Sequence, residues 1–277
     1  MDFRLVLIAI AIVGLIGLAC AVILALASYF MSVKVDEKYT KIRECLPGAN
    51  CGACGYTGCD GYAKALADGT VSKTNLCVPG ADTTSRALSD ILGVAFEDVE
   101  EKVAYVHCNG TCEAAPRKAE YDGIGTCRSA ALTFGGPNSC VYGCLGFGDC
   151  ADACPENAIC MNDGIARIDI RKCIGCGICT RTCPKHIISL IPVTAKTVIQ
   201  CSSQAKGAQA MKECKNSCIG CKKCELNCES GAIKVVNNLA VIDYSKCNHC
   251  GKCVEVCPKK CLKLADFAKS YGAQHAL

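Results

Sequence analysis

The chemistry of this chain lies in its cysteines. Cys218-x2-Cys221-x2-Cys224-x3-Cys228 is followed by Cys247-x2-Cys250-x2-Cys253-x3-Cys257-Pro258. Thiolates at such close steps can each take one iron of a [4Fe–4S] cube, and in paired runs the fourth cysteine of each run serves the other cube. This rule assigns Cys218, Cys221, Cys224 and Cys257 to one cube and Cys247, Cys250, Cys253 and Cys228 to its neighbour. Zinc is the competing ligand, but a structural zinc site uses two CxxC-like pairs and fits a doubled run of four badly.

The paired runs match the bacterial two-cluster ferredoxin pattern, and they recur. A shift of 74 residues toward the N-terminus lands on Cys144, Cys150, Cys154, Cys173, Cys176, Cys179 and Cys183, with Phe147 in the eighth place. The chain therefore contains an internal duplication. The earlier run reads Cys140-x3-Cys144-x5-Cys150-x3-Cys154-Pro155, so Cys140 is the expected substitute ligand. That gives Cys140, Cys144, Cys150 and Cys183 for one cube and Cys173, Cys176, Cys179 and Cys154 for the other. A fifth cube is expected nearer the N-terminus, where Cys51-x2-Cys54-x4-Cys59-x17-Cys77 places three thiolates on one loop and a fourth beyond a helix. Gly52, Gly55 and Gly58 let that loop wrap closely.

These cysteines need elements to hold them. Apolar alternation predicts a short strand in each module, at 164–169 and 238–243. A polar helix is expected over 34–44, another over 60–68, and an Ala-rich helix near 204–213. The whole reads as α+β: one N-terminal transmembrane helix, a small helical 4Fe–4S domain and two tandem bacterial-type 2[4Fe–4S] ferredoxin-like modules. The expected boundaries are 1–33 for the anchor, 34–82 for the first cluster domain and 83–134 for a linker domain with extra cysteines. Module 1 follows at 135–192, a connector at 193–215, module 2 at 216–265 and a tail at 266–277.

Composition agrees with a metal framework. The chain carries 29 cysteines in 277 residues, with 5% aromatics and no Trp, so a large aromatic core is excluded. The formal charge of +4 counts every cysteine as neutral, whereas bound thiolates would make the loaded protein more acidic, and no nucleic-acid partner is inferred. The stretch 5–30 has no charged residue, longer than the roughly 20 residues a membrane helix needs. Lys34, Lys38, Lys41 and Arg43 follow it and only Arg4 precedes it, which places the large C-terminal part in the cytoplasm by the positive-inside bias. That compartment is reducing and keeps thiols free for metal.

Several cysteines fall outside these sets. Cys108, Cys112 and Cys127 are three candidate ligands for an extra cluster, with packed thiols as the alternative. Cys201, Cys214 and Cys261 are expected to be buried structural thiols, since free cysteine packs as a small hydrophobe. His107, His186 and His249 are expected to be neutral and solvent-facing.

Three stretches taken together resemble the B-subunit family of the Rnf complex, a membrane ferredoxin:NAD oxidoreductase that pumps ions. They are the N-terminal span, Leu46-Pro47-Gly48 leading into Cys51-Gly52-Ala53-Cys54-Gly55-Tyr56-Thr57-Gly58-Cys59, and Tyr142-Gly143-Cys144-Leu145-Gly146-Phe147-Gly148-Asp149-Cys150. The resemblance covers nearly the whole chain and is to the longer form, with two ferredoxin modules. It implies electron entry from reduced ferredoxin, passage along 4Fe–4S clusters to other subunits of the membrane complex, and ion transport by those partners. The chain would be part of a translocase, with no catalytic residue beyond electron transfer. No phosphate loop or strand-flanked GxGxxG is found, so nicotinamide would bind elsewhere. Two other functions stay open on the residues: a self-contained iron–sulfur reductase with substrate at an open cluster iron, and a zinc-loaded interaction module.

Overall fold

The computed structural model describes residues 3–30, 36–265 and Phe267. It opens with helix α1, Phe3–Phe30, 28 residues long and so about 42 Å at 1.5 Å per residue. Among the described residues no helix is long and apolar enough to cross a membrane, the side chains of α1 being described without a break only over 12–28. The stretch 31–35, part of the expected anchor and polar helix, lies outside the described residues.

Helices α2 (Glu37–Cys45), α3 (Cys59–Ala67) and α4 (Ala81–Leu92) form the first cluster domain. Asp36 caps α2 by accepting the Lys38 N–H at 2.9 Å, which satisfies one of the free amides at the helix start. Tyr62, Ala63 and Leu66 share one face of α3 and bury it against Ile42 and Leu88. Tyr62 and Ile42 are wholly buried, and the Tyr62 hydroxyl finds the Lys73 carbonyl at 2.7 Å. This core backs Cys59 and Cys77.

Strand β1 (Lys102–Val106) comes next, followed by α5 (Cys127–Leu132), α6 (Asp149–Asp152), β2 (Ile159–Asn162), β3 (Ile165–Ile168), α7 (Ile178–Thr182) and β4 (Ile188–Pro192). Strands β2 and β3 pair as an antiparallel hairpin, and β1 pairs antiparallel with β4, Val106 opposite Ile188. The second half repeats this plan. After β5 (Thr197–Ile199) and α8 (Gly207–Glu213) come α9 (Lys223–Leu226), the hairpin β6 (Ile233–Val236) with β7 (Leu239–Ile242), α10 (Lys252–Glu255) and β8 (Leu262–Leu264). β5 pairs with β8, Ile199 opposite Leu262.

Each module thus draws its first strand from the segment expected to precede it, β1 from the linker and β5 from the connector. A two-stranded hairpin cannot bury both faces alone, and the extra strand closes the core on the far side. In module 1, Val106, Ile159, Ile165, Ile187 and Ile188 pack among cysteines; in module 2, Ile199, Ile233 and Leu262 do so. The repeat extends to backbone detail. Gly146 and Gly220 adopt left-handed φ of 85° and 64°, and a Cβ on them would sit 2.8 Å from the Gly164 carbonyl oxygen and 3.0 Å from that of Asn238. At this one position of each repeat the cysteine loop presses onto the hairpin turn, which only glycine permits.

The two modules lock together through His107. Its Nδ1 meets the Ile199 carbonyl at 2.8 Å, its Nε2 meets the Ser189 hydroxyl at 2.6 Å, and its own carbonyl accepts the Ser202 hydroxyl at 2.8 Å. Burial lowers its pKa. His107 is therefore an interior residue and not the solvent-facing one expected, because its ring, one residue past β1, is held between Ser189 at β4 and Ile199 at β5. His186 is exposed, and His249 is half-buried with its Nδ1 accepting the Lys196 N–H at 3.4 Å.

Candidate iron–sulfur centres

The N-terminal set comes together around the start of α3. Cys59 opens the helix, where the Asn50 side chain accepts its N–H at 2.9 Å, and Cys51 and Cys54 lie on the glycine-rich loop before it. Burial pushes the Cys77 thiol up to about 11, helped by the nearby charges of Cys59, Cys51 and Cys54. Four thiols so close repel one another as anions, and a cationic iron–sulfur core is what would relieve that.

The cysteines assigned across the runs of module 1 also converge. Cys154, Cys173, Cys176 and Cys179 line one cavity of about 340 Å³ of non-atom space beneath Ala104 and Ile159. The Cys154 and Cys173 sulfurs accept the Ala158 and Ala104 amides at 3.3 and 3.4 Å. Amides aimed at sulfur stabilise thiolate and tune a bound cluster. Beside this site the Arg181 guanidinium donates to the Cys51 carbonyl, tying it to the N-terminal set.

The other cavity of module 1 gathers a different set of cysteines from the one expected. About 370 Å³ is lined by Cys127, Cys144, Cys150 and Cys183, and Cys140 is not among them. Cys140 instead faces Cys108, Cys201 and Cys214 across a separate cavity. The reason is local. Thr126 caps α5 by accepting the Ser129 N–H at 3.1 Å, and the Asp149 carboxylate takes the Cys127 N–H at 2.6 Å and the Arg128 N–H at 3.1 Å, drawing Cys127 into the corner that Phe147 leaves vacant in the repeat. The trio Cys108, Cys112 and Cys127 is accordingly split: Cys112 is exposed beside Gly164, and the other two belong to different cavities. The missing cysteine at position 147 was the sequence signal that a ligand must come from elsewhere.

Because Asp149 orients Cys127 through the backbone, Asp149→Ala should weaken cluster retention here by about 10- to 100-fold, the scale of losing an outer-sphere partner. Chelator-challenge kinetics read by visible absorption will show one fast-bleaching cube, the others unchanged.

Module 2 places Cys218, Cys221, Cys224 and Cys257 around about 330 Å³. Cys228, Cys247 and Cys250 all lie near enough to Cys253 to raise its thiol, after burial, to about 11. Cys261 is buried, as expected of a structural thiol, but it also stands 3.5 Å from Cys257 and hydrogen-bonds Cys218, lowering the pKa of both while its own rises. Module 1 has Ile187 at the matching position. Hydrogen bonds to ligand sulfur shift cluster potential, so the two modules differ at this corner. Among the described residues no three His, Cys, Asp or Glu side chains close around a single metal ion. The cysteine sets line cavities instead.

Comparison with known proteins fits this layout. A family model for an Fe-S cluster matches residues 46–79, a 4Fe-4S binding domain matches 166–189 and a 4Fe-4S dicluster domain matches 217–261. The chain is 40% identical to the B subunit of the Na(+)-translocating ferredoxin:NAD(+) oxidoreductase complex of Acetobacterium woodii, over 93% of this chain and 77% of that one. It is 38% identical to the B subunit of the proton-translocating ferredoxin:NAD(+) oxidoreductase complex of Clostridium ljungdahlii, over 93% and 92%. Against the B subunit of the ion-translocating oxidoreductase complex of Methanosarcina acetivorans the identity is 36%, over 92% and 97%.

Proposed function

Since the chain belongs to the family of B subunits of ion-translocating ferredoxin:NAD(+) oxidoreductase complexes, we propose that it relays electrons from reduced ferredoxin, through [4Fe–4S] clusters held by its cysteine sets, to the membrane subunits. When bound, each cube would accept and release one electron. The observation that carries this is adjacency: Arg181 joins the N-terminal set to module 1, and His107 joins module 1 to module 2. Electron transfer needs rigid, close centres and no acid, base or nucleophile, and the chain's residues supply the rigidity. Backbone amides on sulfur and burial among isoleucines set the electrostatics of each site.

We assign the N-terminal stretch as a single-pass anchor with the cluster domains on the cytoplasmic side, supported by the uncharged, apolar sequence of 5–30 and by the basic residues that follow it. Partners are reduced ferredoxin, the other subunits of the complex and membrane lipid. The relatives' names differ in the ion moved, sodium or proton, and ion passage belongs to the other subunits.

The test uses anaerobically purified, cluster-loaded full chain. An excess of reduced ferredoxin over the clusters should bleach the brown absorption on the millisecond scale that a stopped-flow instrument follows, whereas NADH alone leaves it unchanged. Bleaching by NADH and not by ferredoxin would overturn the direction of the relay, and turnover of a substrate without partner subunits would favour the self-contained reductase.

A further inference from the structure

The basic residues of this chain are unevenly placed. Residues 193–265 carry twelve lysines and five carboxylates, whereas the rest of the chain has eighteen basic and twenty-one acidic residues. Within module 2, Lys246 pairs with Asp243 and Lys252 with Glu229. Lys222, Lys223, Lys259 and Lys260 form no ion pair among the described residues. Lys222 and Lys259 line the cavity of Cys218, Cys221, Cys224 and Cys257, where Cys221 is exposed.

The same corner of module 1 is covered. A shift of 74 residues puts Phe147, Gly148, Asp149, Lys185 and His186 at the places of Cys221, Lys222, Lys223, Lys259 and Lys260. Phe147 meets the Tyr121 ring edge-on with centroids 5.4 Å apart, the Asp149 carboxylate takes the Cys127 amide, and Lys185 donates to the Gly135 carbonyl at 2.7 Å. The stretch 121–135 thus lies over that corner. In module 2 the corner is open: Cys221, Lys222, Lys223 and Leu226 are exposed, Leu226 by 82%.

Backbone conformation singles out Lys222. The short helices α6, α7, α9 and α10 each start from a left-handed residue. Three of these are Gly148, Gly177 and Gly251, with φ of 91°, 69° and 77°, and the fourth is Lys222, with φ of 59°. A side chain is disfavoured in that conformation, and such strain gathers at functional positions. Glycine would serve the turn better, so what Lys222 adds is its ammonium group.

We infer that this corner of module 2 docks an acidic redox protein, the ferredoxin that delivers electrons, with Lys222, Lys223, Lys259 and Lys260 set around Cys221 and Leu226. The inference deepens the relay proposed above and rests on it for the partner's identity. Charge supplies the reason. Four thiolates on an iron–sulfur core leave a net negative charge, so two cysteine-ligated cubes repel as they approach. Ammonium groups beside the exposed ligand offset that repulsion and steer the partner in. An apolar residue within a basic rim suits the small, short-lived contact of an electron-transfer encounter. In each encounter one electron leaves the donor's cube, one enters the cube held by Cys221, and the partner departs oxidised.

The test binds oxidised two-cluster ferredoxin, which moves no electron, to the cluster-loaded full chain in nanodiscs of neutral lipid, with association followed by interferometry at low and high salt. Lys222→Gly with Lys223→Gln should slow association by about 10-fold at low salt, and high salt should erase the difference. Lys38→Gln with Lys64→Gln removes the same charge from exposed sites on α2 and α3 and should slow it by less than about twofold. Acetylation footprinting of the wild type gives a second reading: ferredoxin should shield Lys222, Lys223, Lys259 and Lys260 and leave Lys64 reactive. Equal rates in the two double variants, or no shielding, overturns the face. Shielding by phosphatidylglycerol nanodiscs and not by ferredoxin also overturns it and gives the surface to the membrane. A variant without brown absorption has lost its cubes, and the footprint then decides alone. Reduced ferredoxin separates the face from the relay. Shielding with no bleaching of the cubes would sink the relay and keep the face, whereas prompt bleaching that the lysine variants do not slow would sink the face and keep the relay.

Discussion

Stripping iron from the loaded chain with a chelator under anaerobic conditions should abolish the cooperative thermal transition of both ferredoxin-like modules. Their cores are small: in module 2 the fully apolar buried residues are Ile199, Ile233, Ala240 and Leu262, and the rest of the cluster is cysteine. The sheets have two strands each, below what stands alone in water. A structural metal contributes on the order of 10 kcal/mol, which is comparable with the whole stability of a typical domain, about 5–15 kcal/mol. Loss of the metal therefore removes the fold of these modules and does not merely loosen it. The α2–α4 domain, with Ile42, Tyr62, Leu66 and Leu88 wholly or almost wholly buried, should keep part of its helix. Far-ultraviolet circular dichroism should thus show residual helix with no sharp transition, and a retained sharp transition in the iron-free chain would refute the cluster-dependent core.

The pH dependence of loading follows from the same sites. Burial pushes the thiols of Cys150 and Cys179 up to about 12 and those of Cys144, Cys201 and Cys224 to about 11. Thiols with such values are protonated at neutral pH until iron binds, and iron must expel a proton from each one it takes. Loading should accordingly weaken as pH falls and strengthen as it rises, which chelator competition across pH 6–9 will measure, about four protons per cube setting the steepest slope.

The second large effect is on electron flow. In membranes carrying the whole complex, Cys179→Ala should cut ferredoxin-dependent NAD reduction by about 100-fold or more, because a ligand loss exceeds the 10- to 100-fold scale of outer-sphere changes. Cys179 is buried between the N-terminal set and the rest of module 1, so its cube lies within the row and not at a dispensable end. Cys160→Ala is the matched control. Cys160 is exposed on β2 and its repeat partner is Lys234, so activity should stay within about twofold, as for surface changes in general. Equal loss in both variants would mean that thiol removal damages the chain generally and that the assigned row carries no current.

Residue spacing alone determined much of this protein. Cys173, Cys176 and Cys179, and likewise Cys218, Cys221 and Cys224, stand three residues apart, so chain geometry already expects each trio around one centre, and each trio lines one cavity. The exchange of the fourth ligand between runs and the duplication at 74 residues were legible for the same reason: both are local patterns copied at a constant interval. Which distant cysteines share a cavity was decided only by tertiary structure. Cys127, and not Cys140, lines the cavity of Cys144, Cys150 and Cys183 because Asp149, more than twenty residues along the chain, takes the Cys127 amide. Cys108 and Cys201 are 93 residues apart, not 74, because the segments between first strand and module differ in length. No fixed shift aligns them. What does align them is the register of β1 on β4 and of β5 on β8, set by hydrogen bonding between strands and by which faces are buried, and that register brings four separate stretches of chain to one cavity.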